Sequence, residues 1–403
     1  MRITLLTTSF PLKPESVSGV FVQRLVQSLP SWVSVSVLTP CASFPTQKSK
    51  YAQYKLSCFN YAFKKWQILA HQPGGIPVAL KQHKALVLLM PLFLIAMFFA
   101  CLKSAKNSDL IHANWSINGV IAGLAGTITQ TPVLTTLRGE DVTRAGKSTL
   151  YKFLLKMCLV LNCKVIAVSE AIYAKLIKFS PKDIDKIIMI PNGVDENFIK
   201  ISHTVKIFDD KNLDKLRIIS VGSLIPRKGI SYLIKATQIL KEIGEFELII
   251  IGTGVEREML ENLTETLGVS SHVQFLGDVP PCDIPEHLSK ADIFILSSFS
   301  EGRPNVVLEA LAAGIPTIAT DIEGVTELVK SEITGMLFEP GNVNQLSEKI
   351  IHLWQNPELR RKLSYEGKKL ILEQELVWSK VGKNYGEIYR KIIFDKKLKK
   401  CVD

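Results

Sequence analysis

Glu301 and Glu309 stand with seven residues between them in the run Glu301-Gly-Arg-Pro-Asn305-Val-Val-Leu-Glu309-Ala-Leu-Ala-Ala-Gly314. Proline suits the first position of a helix, where its missing N–H costs nothing, so Pro304 predicts a helix start there. Glu301 then lies in the loop before the helix, and Glu309 sits over a turn inside it. Both carboxylates border the helix N-terminus, whose free N–H groups attract phosphate. A carboxylate pair can also hold neighbouring hydroxyls, which a ribose or a hexose offers. By composition alone, a helix with an acidic first turn is the plainer reading.

Two loops upstream change that balance. Gly222-Ser-Leu-Ile-Pro-Arg227-Lys228-Gly229 follows an apolar run and leads into a helical pattern. It combines two adjacent cations with a glycine that admits close backbone approach, which suits a diphosphate, although a solvated basic turn has the same composition. Gly252-Thr-Gly254 is a tight small-residue turn and a weak signal alone. Metal chemistry finds no support: the sole Asp-x-Asp is Asp183-Ile-Asp185, in a Lys-flanked turn before a strand, and the His residues show no ligand spacing. His112 and Asn114 read as structural strand-end residues. Asp141 reads equally as a helix cap or as a residue lining an acceptor cleft.

The elements that must position these loops alternate along the whole chain. Short β-branched runs fall at 2–8, 33–39, 109–112, 132–137, 164–168, 187–190, 216–222, 246–251, 272–276, 292–297, 316–319 and 335–338, with helical patterns between them. LRIISVG and FELIIIG are apolar on both faces, as in parallel strands covered by helices on both sides. Ligands in such open sheets bind beyond the carboxyl ends of the strands, where the three loops lie. The reading is therefore two doubly wound α/β domains, at 1–200 and 201–375, with a linker in 191–215 and a helical tail at 376–403. The opening residues MRITLLTTSFP read as a first strand rather than a secretory signal.

Composition narrows the partners. The chain has 403 residues, 47% hydrophobic and 22% charged, which is enough for about two domains with their own cores. Its 7 Cys are scattered and odd in number, so neither a disulfide framework nor a zinc site is expected, and a reducing cytosol fits. Residues 1–200 hold 23 Lys+Arg against 9 Asp+Glu, whereas 201–403 hold 26 against 29. So one-sided a positive field implies an anionic partner. Ala85–Leu102 is apolar and bracketed by Lys84 and Lys103; because Asp109-Leu-Ile-His112 resumes the sheet, a buried or membrane-dipping helix is favoured over a span. Nucleic acid is not expected, since only Lys64-Lys65-Trp66 interleaves an aromatic with basic residues. A nicotinamide dehydrogenase is excluded by the lack of Gly-x-Gly-x-x-Gly after the first strand.

Together these motifs resemble the retaining glycosyltransferases of family 4, of the bacterial polysaccharide and lipopolysaccharide type. The resemblance runs through Ser9-Phe-Pro with Ser18-Gly19-Val-Phe21, Asp109-Leu-Ile-His112-Ala-Asn114-Trp115, Thr136-Leu-Arg138-Gly-Glu-Asp141, Val168-Ser-Glu170, Ile190-Pro-Asn192-Gly193-Val-Asp195, Val221 to Gly229, Glu301 to Glu309 and Gly335-Met-Leu-Phe338. It implies the GT-B fold: two facing Rossmann-like domains with a C-terminal helix returning toward the first, and a nucleotide-diphosphate sugar as donor, with no cofactor or metal. Lys228 would hold the donor diphosphate with Arg227 beside it, Glu309 the ribose, and Glu301 hydroxyls of the sugar. Asn305, Val306 and Val307 would cap the phosphates, Gly252 and the turn Gly277-Asp-Val279 would border the donor, and the Gly19 loop would face the diphosphate.

The resemblance thus implies a catalytic set of Lys228, Glu301 and Arg138. Three departures stand out: Ser18-Gly19 where the family often has paired glycines, Ser223 where it commonly has Arg, and Arg138 where many members have His. The implied reaction retains configuration at the sugar, and the expected acceptor is a glycan or lipid-linked glycan at the inner face of the cell membrane. A non-catalytic nucleotide-sugar- or anion-binding protein of the same fold is the alternative.

Overall fold

The computed structural model describes residues 1–13, 16, 18–43, 54–71, 75–201 and 215–402. The chain divides into two units, Met1–Asn192 with Trp378–Asp403, and Gly193–Val377. The boundaries thus fall at 192/193 and 377/378, where the sequence had placed them near 200 and 375. Most of the expected linker, 202–214, lies outside the described residues.

The first unit is built on seven parallel strands: β1 Arg2–Leu6, β2 Ser34–Pro40, β3 Tyr54–Phe59, β4 Leu110–Asn114, β5 Val133–Leu137, β6 Lys164–Ala167 and β7 Ile187–Met189, in the order β3-β2-β1-β4-β5-β6-β7. The order reverses between β1 and β4, which opens a crevice at their carboxyl ends. One strand, β3, escaped the sequence reading. It lies at the sheet edge with one neighbour, and its burial, with Tyr54 and Phe59 covered and Lys55 and Cys58 exposed, has no period of two.

The scattered cysteines misled in one respect. Cys41 and Cys58 form a disulfide with their Cα atoms 4.9 Å apart, because parallel pairing of β2 and β3 brings those strand ends side by side. The spacing of 17 in sequence hid a contact that only the pairing creates.

The apolar stretch forms a 3-10 turn, Lys84–Leu89, and a helix, Met90–Ala105, with Pro91 in its first turn. Phe93, Met97, Cys101 and Ala105, four residues apart, make a buried stripe packed on Leu6, Leu38 and Ile111. The segment is long and apolar enough to cross a membrane by length and composition. Its stripe nevertheless packs on strands β1, β2 and β4 of one sheet, so the helix belongs to the layer covering that sheet. The other face of the sheet is covered by Val20–Ser28 and the C-terminal helix Trp378–Val402, which buries Trp378, Val381, Tyr385, Tyr389 and Ile392 at helical spacing.

The second unit repeats the design with β8 Leu216–Val221, β9 Phe246–Ile251, β10 Val273–Gly277, β11 Ile293–Leu296, β12 Thr317–Thr320 and β13 Met336–Phe338, all parallel, in the order β10-β9-β8-β11-β12-β13. Both faces are covered: Ile219, Phe294 and Ala319 pack into one cluster, while Ile218, Ile295 and Ile318 pack into the other. Each of the Ile and Phe side chains contributes roughly 1.5–3 kcal/mol when buried. Here the reversal falls between β8 and β11, whose following loops carry Lys228 and Glu301.

Candidate active site

The loops after β8 and β11 are laced together by main chain and side chain. Phe299 N–H donates to Arg227 O at 2.8 Å, Ser297 Oγ to Lys228 O at 2.9 Å, and Arg227 Nη1 to Ser300 O at 2.7 Å. Gly229 permits this approach. Its φ is 62°, and a Cβ there would meet Ser297 O at 2.4 Å.

Glu301 is the electrostatic focus. Lys228 Nζ donates to Glu301 Oε1 at 2.6 Å, Ser298 Oγ donates to the same oxygen at 2.7 Å, and Arg227 Nη1 stands 3.5 Å from Oε2. Burial works to raise the Glu301 carboxyl. The charges of Lys228 and then Arg227, with hydrogen bonds from Lys228 and Ser298, outweigh it and hold the group below the ordinary carboxylate range. An ammonium has three donors, so Lys228 keeps two beyond the one that Glu301 accepts.

The helix Asn305–Ala312 starts one residue later than expected, with Pro304 as its N-cap at φ −74° and ψ 112°; the extended ψ puts Pro304 outside the first turn. Val307 and Leu308 N–H both bond Pro304 O, while Val306 N–H has no acceptor among the described residues. Glu309 lies one turn further along, half-buried, on the helix that Glu301 precedes. The loop between is braced by Arg303 and Glu327, an ion pair of 2.9 Å with both side chains nearly covered. Neither that pair nor Ser298 was singled out in the sequence, since a brace across 24 residues has no local pattern.

The loop after β9 joins the same edge. Gly252 N–H donates to Gly277 O at 2.7 Å, Leu224 N–H to Thr253 O at 2.9 Å, and Thr253 Oγ1 lies 3.0 Å from both carboxylate oxygens of Asp278. Val279 packs its side chain into the core with Ile251 and Val307.

Gly19 and Arg138 belong to the first unit, at the carboxyl edge of its sheet. Gly19 caps the helix Val20–Ser28 at φ 78°, where a Cβ would meet Ser9 O at 2.4 Å. The Arg138 guanidinium lies 4.6 Å from the Phe21 ring centroid, donates to Asn114 Oδ1 through Nε and Nη2 at 3.2 and 2.8 Å, and to Asn192 Oδ1 through Nη1 at 2.7 Å. Asp141 is a cap: its buried carboxylate accepts from Ser116, Gly139 and Val142 N–H, each at 3.1 Å. His112 is fully buried, Nδ1 with Tyr389 Oη at 2.7 Å and Nε2 with Thr136 Oγ1 at 2.8 Å. Burial, then the charge of Arg138, pushes its imidazole down to about 3, so it is neutral and structural. Among the described residues no cluster of three or more His, Cys, Asp or Glu is placed to hold a metal ion.

Two doubly wound units, with cations and carboxylates gathered at the strand reversal of the second, define a nucleotide-type α/β protein of the GT-B fold. Residues 18–198 match the model of Glycosyltransferase Family 4, and 205–370 that of Glycosyl transferases group 1. The chain belongs to this glycosyltransferase family. It is 29% identical to the putative teichuronic acid biosynthesis glycosyltransferase TuaC of Bacillus subtilis over 87% of this chain and 88% of that one. Among solved structures it resembles sucrose-phosphate synthase of Thermosynechococcus elongatus, with a TM-score of 0.79 at 20% identity over 98% and 99% of the two chains. It also resembles HepE of Anabaena in complex with UDP-glucose, with a TM-score of 0.74 at 19% identity over 98% and 100%.

Proposed function

We propose that the protein is a retaining hexosyltransferase that moves a sugar from a nucleotide-diphosphate sugar to a glycan or lipid-linked glycan of the cell surface. The observation that carries this is the contact of Lys228 with Glu301, flanked by Arg227, at the reversal between β8 and β11. Binding of UDP-glucose by HepE supports a donor of this class.

In this reading Lys228 and Arg227 bind the diphosphate, together with the N-terminus of Asn305–Ala312. Glu309 takes ribose hydroxyls, and Glu301 takes hydroxyls of the sugar. The bond from the anomeric carbon to the diphosphate oxygen breaks, and its electron pair leaves with the diphosphate. Lys228 and Arg227 stabilise the charge that develops there. The acceptor oxygen bonds to the anomeric carbon on the face the leaving group departs, and its proton passes to the leaving phosphate oxygen. In this reading Glu301, tied to two cations and a serine hydroxyl, orients the sugar rather than attacking it.

The location proposed is the inner face of the cell membrane. The first unit carries 30 Lys+Arg against 10 Asp+Glu and the second 19 against 28, a sharper split than the sequence halves showed, because the lysine-rich tail belongs to the first unit. Met90–Ala105, Ser116–Thr129 and Thr149–Leu161 pack side by side and expose Leu92, Phe99, Ile128, Phe153 and Val160. Apolar side chains among lysines suit a surface of anionic lipid.

The test is turnover of UDP-, GDP- and ADP-sugars by the purified protein beside Lys228→Ala and Glu309→Ala. One nucleotide sugar should stabilise the wild type against heat and be slowly hydrolysed, with both variants deficient. If none binds even with membrane lipid present, the proposal is wrong.

A further inference from the structure

Arg138 is a cation that the fold largely encloses while giving it only neutral groups to hold, and we infer that it is the docking point for an oxyanion, phosphate or carboxylate, on the acceptor. The inference rests on the transferase reading above and names the acceptor class.

Three observations carry it. The first is the donor count. A guanidinium has five N–H groups. In Arg138 the amide oxygens of Asn114 and Asn192 accept three hydrogen bonds, which leaves one N–H on each terminal nitrogen. Two such N–H groups in one plane match a phosphate or carboxylate bidentately.

The second is charge. Among the described residues Arg138 makes no ion pair. Asp141 attracts it from the same loop, as the hydroxyls of Tyr385 and Tyr389 do when ionised, yet the Asp141 oxygens are spent on three backbone N–H groups. Enclosure disfavours the charged form, and a guanidinium does not escape by losing its proton. A half-buried cation without a contacting anion is costly, and an incoming oxyanion offsets part of that cost.

The third is a neighbouring vacancy in the hydrogen bonding. Asn114 is fully buried, and its Oδ1 takes two bonds from Arg138, but its Nδ2 has no partner among the described residues. The amide N–H groups hang from the same carbon as the oxygen that Arg138 holds, so unpaired donors lie enclosed beside the guanidinium. Asn118, also fully buried, leaves both Nδ2 and Oδ1 without a partner among the described residues at the start of Ser116–Thr129, the helix that β4 feeds. Buried polar groups are rarely left so, and here they gather at the carboxyl end of one strand.

A fixed cation also fits the departure seen in the sequence. Histidine at this position would offer a titrating group, whereas arginine offers a permanent charge that suits an acceptor bearing a permanent negative one. Arg138 is thus assigned to acceptor binding.

The experiment is isothermal titration of the full chain with inorganic phosphate and, separately, with glucuronate, using wild type, Arg138→Gln, Arg138→Lys and Lys228→Gln. Phosphate should occupy two classes of site, one lost in Lys228→Gln and the other weakened at least tenfold in Arg138→Gln. Arg138→Lys should keep a weakened site, because it restores charge without the fork. Should Arg138→Gln not fold, the comparison of Arg138→Lys with wild type decides alone. A glucuronate site sensitive to Arg138 with a weaker phosphate site identifies a sugar-acid acceptor, and the reverse identifies a phosphorylated one; either supports the inference. Equal affinity for both anions in wild type and the Arg138 variants overturns it. Turnover of a nucleotide sugar with no anion site at Arg138 leaves the transferase reading intact, whereas an anion site without any turnover sinks that reading alone.

Discussion

Lys228 Nζ and Glu301 Oε1 are 2.6 Å apart although 73 residues separate them in sequence. The contact exists because β8 and β11 are neighbours at the strand reversal, so the loops that follow them share one edge. Both side chains are mostly covered, which makes the pair sensitive to loss of either partner. Lys228→Ala should cost roughly 1–3 kcal/mol of stability in the second unit by leaving Glu301 with only Arg227 and Ser298, and the double variant Lys228→Met/Glu301→Leu should recover most of it. Donor turnover should drop about 10²–10³-fold in each. Denaturant titration and initial rates on the two variants check this; equal stability of both with the wild type contradicts it.

The same pair sets an acid limit. Glu301 is held below its unfolded value, so its stabilisation is complete above about pH 4.3 and lost as pH falls through its lower folded value. Glu301→Gln should flatten the acid limb of the stability curve of the second unit. An unchanged limb in that variant would show that other carboxylates govern it.

His112 gives the first unit a different profile. Its imidazole sits near 3 folded and near 6.5 unfolded, so between those values the unfolded chain binds the extra proton and stability falls as the pH is lowered. From pH 6.5 to pH 5 the loss is about 2 kcal/mol from this residue. Replacing His112 by Gln keeps a donor and an acceptor for Tyr389 and Thr136 while removing the titration. The denaturation midpoint of His112→Gln should therefore vary less between pH 7 and pH 5 than that of the wild type, and an equal slope rules out the assignment.

Legibility in the sequence followed the range of the forces involved. Twelve of the strands were readable because their apolar runs are local, and β3 was not, because an edge strand with mixed burial has no period to detect. Lys228, Arg227 and Glu301 could be named from residue type and loop order, but their mutual contact depended on strand neighbours. Cys41–Cys58 and Arg303–Glu327 were invisible for that same reason. At Asp141 the choice between cap and cleft residue could be made only once its three N–H partners were in place.

Gly229 tests whether the Lys228 loop must touch β11. Its left-handed φ and the 2.4 Å that a Cβ would leave to Ser297 O mean that alanine both strains the backbone and pushes the loops apart. Gly229→Ala should lower stability by about 1–3 kcal/mol and donor turnover by a larger factor than that loss explains. The reason is that Arg227 O to Phe299 N–H and Ser297 Oγ to Lys228 O both cross the gap that alanine widens. Full turnover in a folded Gly229→Ala variant would show that the lysine reaches its partner without the lacing.

Membrane docking makes the last prediction, and its two terms can be separated. Leu92 and Phe99 are exposed on Met90–Ala105 beside the stripe that packs on the sheet, so Leu92→Ser with Phe99→Ser removes apolar contact without touching Phe93 or Met97. Charge enters through the lysines of the first unit, among them Lys84 and Lys103 at the ends of the same segment. In flotation with vesicles containing 30% anionic phospholipid, a composition chosen for the assay, the wild type should bind. The double serine variant should lose binding at both low and high salt. Lys84→Gln with Lys103→Gln should lose it mainly at low salt, because the electrostatic contribution is screened within about 10 Å at 0.1 M while the apolar one is not. Binding by the serine variant equal to wild type would mean that this helix face does not enter the lipid, and salt-independent binding would remove the role assigned to the charge asymmetry.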